Sequence, residues 1–283
     1  MSDYECYTKE ELRKLQRVQT KMLKYIDEFC ENNNIEYFIV AGTVLGAVRH
    51  GGFIPWDDDI DIGMTRENYE KFIDIASKEM KGPYFLQCLK TEPNTPYVYA
   101  KVRLDNSMFV EYCNRNVHSH KGIYIDVFPY DNTPDDRNEY AKWFAKLQKM
   151  IRIFAYTSTP DISEKPNNFK QEIKSIIRRM IHIIFKCVNK KKLFNKIHKE
   201  FIKYNNEETK AISCGCFPEM YRMYSLRETV FPLKKIKFED IYVYAPKDED
   251  LYLTNMYGNY MEMPPTEKRV GHRPYKFKLP DNY

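Results

Sequence analysis

Apolar residues recur at helical spacing from the start of the chain. Leu12, Leu15, Val18, Met22, Leu23, Ile26 and Phe29 lie three or four apart, and Thr8 followed by Glu11 gives the capping-box pattern that opens such a helix. The asparagines at 32–34 end it, and the run Tyr37-Phe38-Ile39-Val40 predicts a buried strand leading into Ala41-Gly42-Thr43. A helical turn is expected from Thr43 to Val48. A loop punctuated by glycine and proline, R-H-G-G-F-I-P-W, then leads into D-D-D-I-D-I-G-M, where Ile60 and Ile62 alternate with acidic positions as in a strand. Thr65 is placed to cap a helix carrying Tyr69, Phe72, Ile73 and Ala76, and strand-like runs follow at 84–89, 97–104 and 123–128. The N-terminal half is therefore mixed α/β.

From Asp135 to about residue 206 the pattern changes to long helical periodicity, interrupted near Thr159-Pro160 and Lys165-Pro166, which predicts a helical subdomain. After 207, short aromatic strands such as Ile241-Tyr242-Val243-Tyr244 precede a helix near 248–257 and the tail Y-G-N-Y-M-E-M-P-P-T-E-K-R. No internal repeat or low-complexity segment is present.

Composition narrows the class. With 43% hydrophobic and 30% charged residues, the 283-residue chain has the balance of a globular protein large enough for a real core. Its apolar runs fall short of a membrane span and the opening M-S-D-Y-E-C-Y-T-K lacks a signal-peptide core, so the expected location is the cytoplasm. The seven cysteines are scattered, and the C-G-C of Cys214 and Cys216 is not a zinc-ligand spacing; reduced thiols are expected. A net charge of +5 gives no reason to expect nucleic acid as a partner.

The acidic alternation carries chemistry. On a strand, Asp59 and Asp61 project from one face while Ile60 and Ile62 enter the core. Carboxylates held side by side repel unless a proton or divalent cation lies between them, and Mg²⁺ suits such oxygen ligands, with Mn²⁺ as the alternative. Taken alone, D-D-D-I-D is equally a solvated acidic turn. Two neighbours favour the metal reading: Gly42-Thr43 opens a helix where N–H groups and a hydroxyl can receive phosphate oxygens, and Ile125-Asp126-Val127 sets another aspartate in an apolar run.

Together these residues resemble the nucleotidyltransferase-fold signature: a helix-opening Gly-Thr, a strand of alternating aspartates and a distant third aspartate. The fifteen residues between Thr43 and Asp59 slightly exceed the usual spacing. A narrower resemblance accounts for this, since A-G-T-V-L-G-A-V-R-H-G-G-F-I-P-W-D-D-D-I-D-I-G-M, then R-E-N-Y-E-K-F, I-D-V-F-P-Y-D, L-Y-L-T-N-M-Y-G-N-Y-M and P-P-T-E-K-R, are similar to the LicD family, which includes the fukutin-related proteins. The stretch at about 135–215 carries no such motif.

The resemblance implies an α+β protein with a nucleotidyltransferase-fold mixed sheet and an added helical subdomain, divided as a catalytic core at 1–134, helices at 135–206 and a family region at 207–283 packing back on the core. It implies metal-dependent transfer of phosphocholine from CDP-choline to a hydroxyl of a cell-surface glycan precursor of the teichoic acid or lipopolysaccharide type, with CMP released. Asp59, Asp61 and Asp126 would be the catalytic and metal-binding residues, Asp126 also taking the acceptor proton, and Gly42 and Thr43 would lie near the donor phosphates. Asp57 and Asp58 would orient the ligands or the loop.

Arg49 and His50 sit between the phosphate turn and the acidic strand, where the guanidinium either holds a diphosphate oxygen or pairs with Asp57 or Asp58. Phe53 and Trp56 either stack on the base or pack the loop, and Tyr257, Tyr260, Lys268 and Arg269 are further residues of the family-like tail. Residues 165–203 hold twelve lysines and arginines against two glutamates, with an apolar stripe of Ile173, Ile176, Ile177, Met180, Ile184 and Phe185. This segment is either an ordinary packed helix or a contact with an anionic membrane carrying a lipid-linked acceptor. Two rival functions stay open: the same fold moving another phospho-alditol or a nucleotidyl group, and a basic module that binds membrane or nucleic acid.

Overall fold

The computed structural model describes residues 7–218 and 220–281. Its elements run α1 (Lys9–Asn32), β1 (Phe38–Ile39), α2 (Ala41–His50), β2 (Asp61–Thr65), α3 (Arg66–Glu79), β3 (Tyr84–Gln87), β4 (Ala100–Leu104), β5 (Met108–Val110) and β6 (Tyr124–Thr133). Three helices follow, α4 (Arg137–Ser158), α5 (Phe169–Phe185) and α6 (Lys190–Phe201). The chain then returns through β7 (Ala211–Ser213), α7 (Met220–Met223), β8 (Tyr224–Leu226), α8 (Arg227–Val230), β9 (Lys234–Phe238), β10 (Ile241–Ala245), α9 (Glu249–Tyr257) and β11 (Lys276–Lys278).

Helix α1 forms as its pattern dictates. Thr8 accepts from the Glu11 amide while the Glu11 carboxylate accepts from the Thr8 N–H, and Leu15, Met22, Leu23 and Ile26 are fully buried. Each such side chain contributes roughly 1.5–3 kcal/mol of burial before chain entropy is subtracted. Thr65 stands at the N-cap of α3, but its hydroxyl accepts from the Asn68 side-chain amide and makes no bond to the helix backbone.

The sheet is mixed, ordered β1-β2-β6-β4-β3, with β2 parallel to β6 and the other pairs antiparallel. Strand β6 is the axis. Of its ten residues, the five at 126–130 pair with β2, while β4 takes 124–127 and β7 the last three, with β8 continuing beyond β7. The register sets Asp61 beside Asp126, Asp126 beside Lys101 and Lys101 beside Gln87. One transverse row of the sheet thus carries two carboxylates, an ammonium and an amide on the same face.

The apolar residues form two clusters. The larger joins α1, the sheet and the returning segment through Ile212, Val230, Phe238, Val243 and Leu253. The smaller holds α4 against α6 through Trp143, Phe144, Leu147, Ile197 and Phe201, and reaches the sheet extension at Ala211 and Tyr224. Between them the buried Asp131 takes two hydrogen bonds from Arg66, at 2.8 and 2.6 Å, whose guanidinium lies 5.5 Å from the Phe201 ring centre. Among the described residues no helix is long and apolar enough to cross a membrane. Cys6 lies outside these residues; Cys30, Cys88 and Cys214 are buried free thiols.

Candidate active site

Strand β2 begins at Asp61, and the backbone N–H of Asp126 donates to the Ile60 carbonyl at 3.0 Å, so the ladder already engages the residue between the two aspartates. Ile60 and Ile62 are fully buried and leave Asp59 and Asp61 to the opposite side, as the alternation requires. The Asp61 N–H donates to Thr43 Oγ1 at 2.9 Å, which ties the first turn of α2 to the acidic strand. A Cβ at Gly42 would stand 3.1 Å from an Asp57 carboxylate oxygen, so this glycine lets the loop aspartate lie against the helix start.

Asp57 therefore belongs to the acidic group and does not merely precede it. Burial, then the charges of Asp59 and Asp58, push its carboxyl well above the usual range. Asp61 is raised in the same way, by burial and then by Asp59 and Asp126. Burial lifts Asp59 to about 6 against the opposing pull of His272. Asp126 is also raised by burial, although Lys101 Nζ stands 2.6 Å from its Oδ1.

Lys101 and His272 are site residues that the sequence reading did not single out. Lys101 is 1% exposed, and its ammonium lies 3.5 Å from the ring centre of Tyr124 and 4.4 Å from that of Tyr97. Tyr97 in turn donates to Glu111 at 2.9 Å, and the same Glu111 oxygen accepts from Asn114. The hint was present in Lys101-Val102-Arg103, where charges two apart in a strand fall on one face.

Asp58 does different work from its neighbours. Fully buried, it accepts from the Tyr7 hydroxyl, from the His272 N–H at 2.8 Å and from His272 Nδ1 at 2.7 Å. Asp59, then Asp58, hold His272 protonated, with its pKa raised to about 11. Asp58, Asp59 and His272 lie close enough together to suggest a metal trio. The hydrogen bonds that Asp58 already accepts from Tyr7 and His272 instead make it the anchor of an ion pair. Gln16 and Gln19 of α1 donate to the carbonyls of Asp57 and Asp58, both at 2.9 Å, fixing the loop backbone from below. A Cβ at Gly271 would come within 2.6 Å of Asp58 Oδ2 and 2.8 Å of the Trp56 carbonyl, so the C-terminal segment crosses the acidic loop at van der Waals contact.

The remaining sequence candidates serve that crossing. Arg49 donates to the carbonyls of Tyr260 at 2.7 Å and Glu262 at 3.4 Å, and to His50 Nε2 at 3.0 Å. Of its two expected roles, the pairing with Asp57 or Asp58 is replaced by main-chain carbonyls of the returning segment. Burial and the adjacent guanidinium lower the His50 pKa. Phe53 packs on Phe238 at 5.0 Å, and Trp56 lies under the Arg269 guanidinium at 5.5 Å. The Tyr260 hydroxyl donates to Asp250 at 2.7 Å.

Asp57, Asp59 and Asp61 are partly accessible while Asp126 is buried behind them, so the group is a one-sided oxygen cluster. Oxygen donors with insufficient positive charge among them fit a hard divalent cation better than a soft one.

Comparison with known proteins bears on this geometry. Residues 34–156 match the model described as "LicD/FKTN/FKRP, nucleotidyltransferase domain", a span that contains Gly42, Thr43, every aspartate of the cluster and Lys101. Over 267 residues, 92% of this chain, it is 26% identical to the lipopolysaccharide cholinephosphotransferase LicD of Haemophilus influenzae, covering 95% of that protein. An uncharacterised protein of Rickettsia typhi is 38% identical over 114 residues, 40% of this chain and 35% of its own length. The ribitol 5-phosphate transferase FKRP of Homo sapiens is 36% identical over 52 residues, 18% of this chain and 10% of FKRP. The matched segment is the one in which the mixed α+β sheet brings Asp61 and Asp126 together on β2 and β6, and there the chain is similar to the nucleotidyltransferase domain of the LicD family.

Proposed function

We propose that this chain is a metal-dependent transferase that moves phosphocholine from CDP-choline to a hydroxyl of a cell-surface glycan precursor, of the lipopolysaccharide or teichoic acid type, releasing CMP. The observation that carries the reading is the row of Asp61 and Asp126, with Asp59 and Asp57 beside it, in a domain similar along nearly its whole length to a cholinephosphotransferase. Phosphoryl transfer asks a protein chiefly for positioning and for neutralisation of oxygen charge. Asp59, Asp61 and Asp126 would hold Mg²⁺, which when bound draws charge from the phosphoryl oxygens.

The chain's own residues supply the frame. Thr43 and Gly42 set the start of α2 against β2 and Asp57, so that donor phosphates meet a helix N-terminus beside the acidic row. Lys101 takes one oxygen of Asp126 and opposes the burial that raises that carboxyl, favouring the ionised form that ligation or receipt of the acceptor proton would need. Transfer of ribitol phosphate is the second reading, favoured by the local similarity to FKRP.

Melting curves with CDP-choline, CDP-ribitol, CDP-glycerol and CTP, with and without Mg²⁺, separate these readings, because ligand at 100 times its Kd stabilises by about 2.7 kcal/mol. A Mg²⁺-dependent rise with CDP-choline, and CMP released in the presence of a glycan acceptor, is the expected result. A rise with CDP-ribitol alone would move the transferred group. Pyrophosphate release from CTP would replace the reaction with nucleotidyl transfer.

The cluster also predicts a pH dependence. Folded Asp59 keeps its proton to about pH 6, against 3.8 for an ordinary aspartate, so between these values the folded state binds more protons than the unfolded one. Its stabilisation is present below the lower value and lost as pH rises through the upper. Metal-free wild type should therefore lose stability relative to Asp59→Asn across about pH 4–7, and Mg²⁺ should raise the wild-type melting temperature more at neutral pH than at about pH 5. Parallel pH profiles for the two proteins would sink the assignment.

A further inference from the structure

Helix α5 is mounted the wrong way round for a buried amphipathic helix. Its polar side faces the protein: Arg178 donates to the carbonyls of Ala155 and Thr159, both at 3.0 Å, His182 Nδ1 lies 2.8 Å from the Tyr156 carbonyl, and Ser175 is its one buried residue. Arg179 reaches Asp161 at 3.2 Å. The apolar side faces outward, with Phe169, Ile176, Ile177, Met180, Ile183 and Ile184 each 49–78% exposed. No residue of α5 belongs to either apolar cluster among the described residues. The helix is thus fixed by charge-assisted hydrogen bonds along one side and leaves a continuous aliphatic stripe in water, a patch that ordinary globular surfaces avoid.

Charge identifies what covers it. Lys170 and Lys174 border the stripe and are exposed, and exposed Lys186, Lys191 and Lys192 follow, within a segment of twelve basic and two acidic residues. An aliphatic stripe edged by lysine suits a surface with an oily interior and anionic headgroups, and a lysine-rich border would hinder a second copy of the same face from packing against it.

We infer that α5 is a docking helix for an anionic bilayer, lying in the headgroup region with its Ile, Met and Phe side chains inserted and its Arg178 and His182 side holding the protein. The inference rests on the exposed stripe and its charge, not on the transferred group. It fits an acceptor that is presented at a membrane.

Co-sedimentation of the full chain with phosphatidylcholine vesicles, with and without phosphatidylglycerol, tests it. Wild type is expected to bind the anionic vesicles, more strongly at low salt. Ile176→Glu/Ile183→Glu, both at solvent positions, should lower the partition coefficient at least about tenfold while leaving the melting temperature and donor binding unchanged. Lys170→Glu/Lys174→Glu should weaken binding and flatten its salt dependence. Absence of wild-type binding at low salt, or equal binding by the isoleucine variant, overturns the proposal. So does a lipid-free dimer that the isoleucine substitutions split while vesicle binding is nil, which would assign the stripe to a second copy.

Discussion

Asp61→Asn is expected to lower phosphocholine transfer by at least about 10²–10³-fold while leaving the metal-free protein as stable as wild type or more so. On the proposed reading the loss follows from removing a carboxylate that would hold the divalent cation, since the loss of one group that stabilises charge on the reacting oxygens commonly costs that much. The stability gain follows from the register, since Asp61 stands beside Asp126 on the neighbouring parallel strand and like charges so placed destabilise by about 0.2–1 kcal/mol. Asparagine keeps the shape and removes the repulsion. Transfer rates and metal-free melting temperatures check the two halves separately. A variant with wild-type turnover would remove Asp61 from the site, whereas one that is both inactive and unfolded would give Asp61 a structural role instead.

Lys101→Met should be the most destabilising substitution in the site. Breaking a buried ion pair by removing one partner leaves an uncompensated charge and costs about 3–5 kcal/mol, and here the orphan would be Asp126, itself 6% exposed and already raised by burial. Urea midpoints of Lys101→Met, Asp126→Asn and the double variant form the cycle that measures the coupling. The double variant should recover a large part of the loss, because it buries an amide beside a thioether in place of a lone carboxylate. Strict additivity of the two single effects would mean that Lys101 stabilises through its contacts with Tyr97 and Tyr124 and not through Asp126. Mg²⁺ should narrow the deficit, since it replaces the missing positive charge.

Features set by local periodicity were legible in the sequence. Helix α1 with its capping box, the buried Ile60 and Ile62, Asp126 in its apolar strand and the break between α4 and α5 follow from the order of residues along the chain. Features set by juxtaposition were not. Lys101 sits in a run that reads as an ordinary strand, and its pairing with Asp126 exists only because β4 lies antiparallel to β6 in one register. His272 lies in irregular backbone with no period to mark it, and short strands such as β5 and β11 form only because they meet each other. Asp57 and Asp58 read alike on paper; Tyr7 and His272 single out Asp58, and Gly42 sets Asp57 against α2. Helix α5 shows the same limit: its periodicity was visible, but which side faces water depends on where Arg178 and His182 find acceptors.

The crossing of the C-terminal segment over Asp58 has a consequence for how the protein is made. His272 lies 214 residues beyond the carboxylate it grips, and β11 secures it by pairing with β5. A ribosome adding about 5–20 residues per second needs on the order of ten to forty seconds to travel from one to the other. During that interval the acidic loop has emerged without its cationic partner, and Gln16 and Gln19 of α1, which hold its carbonyls, are the contacts already available to place it.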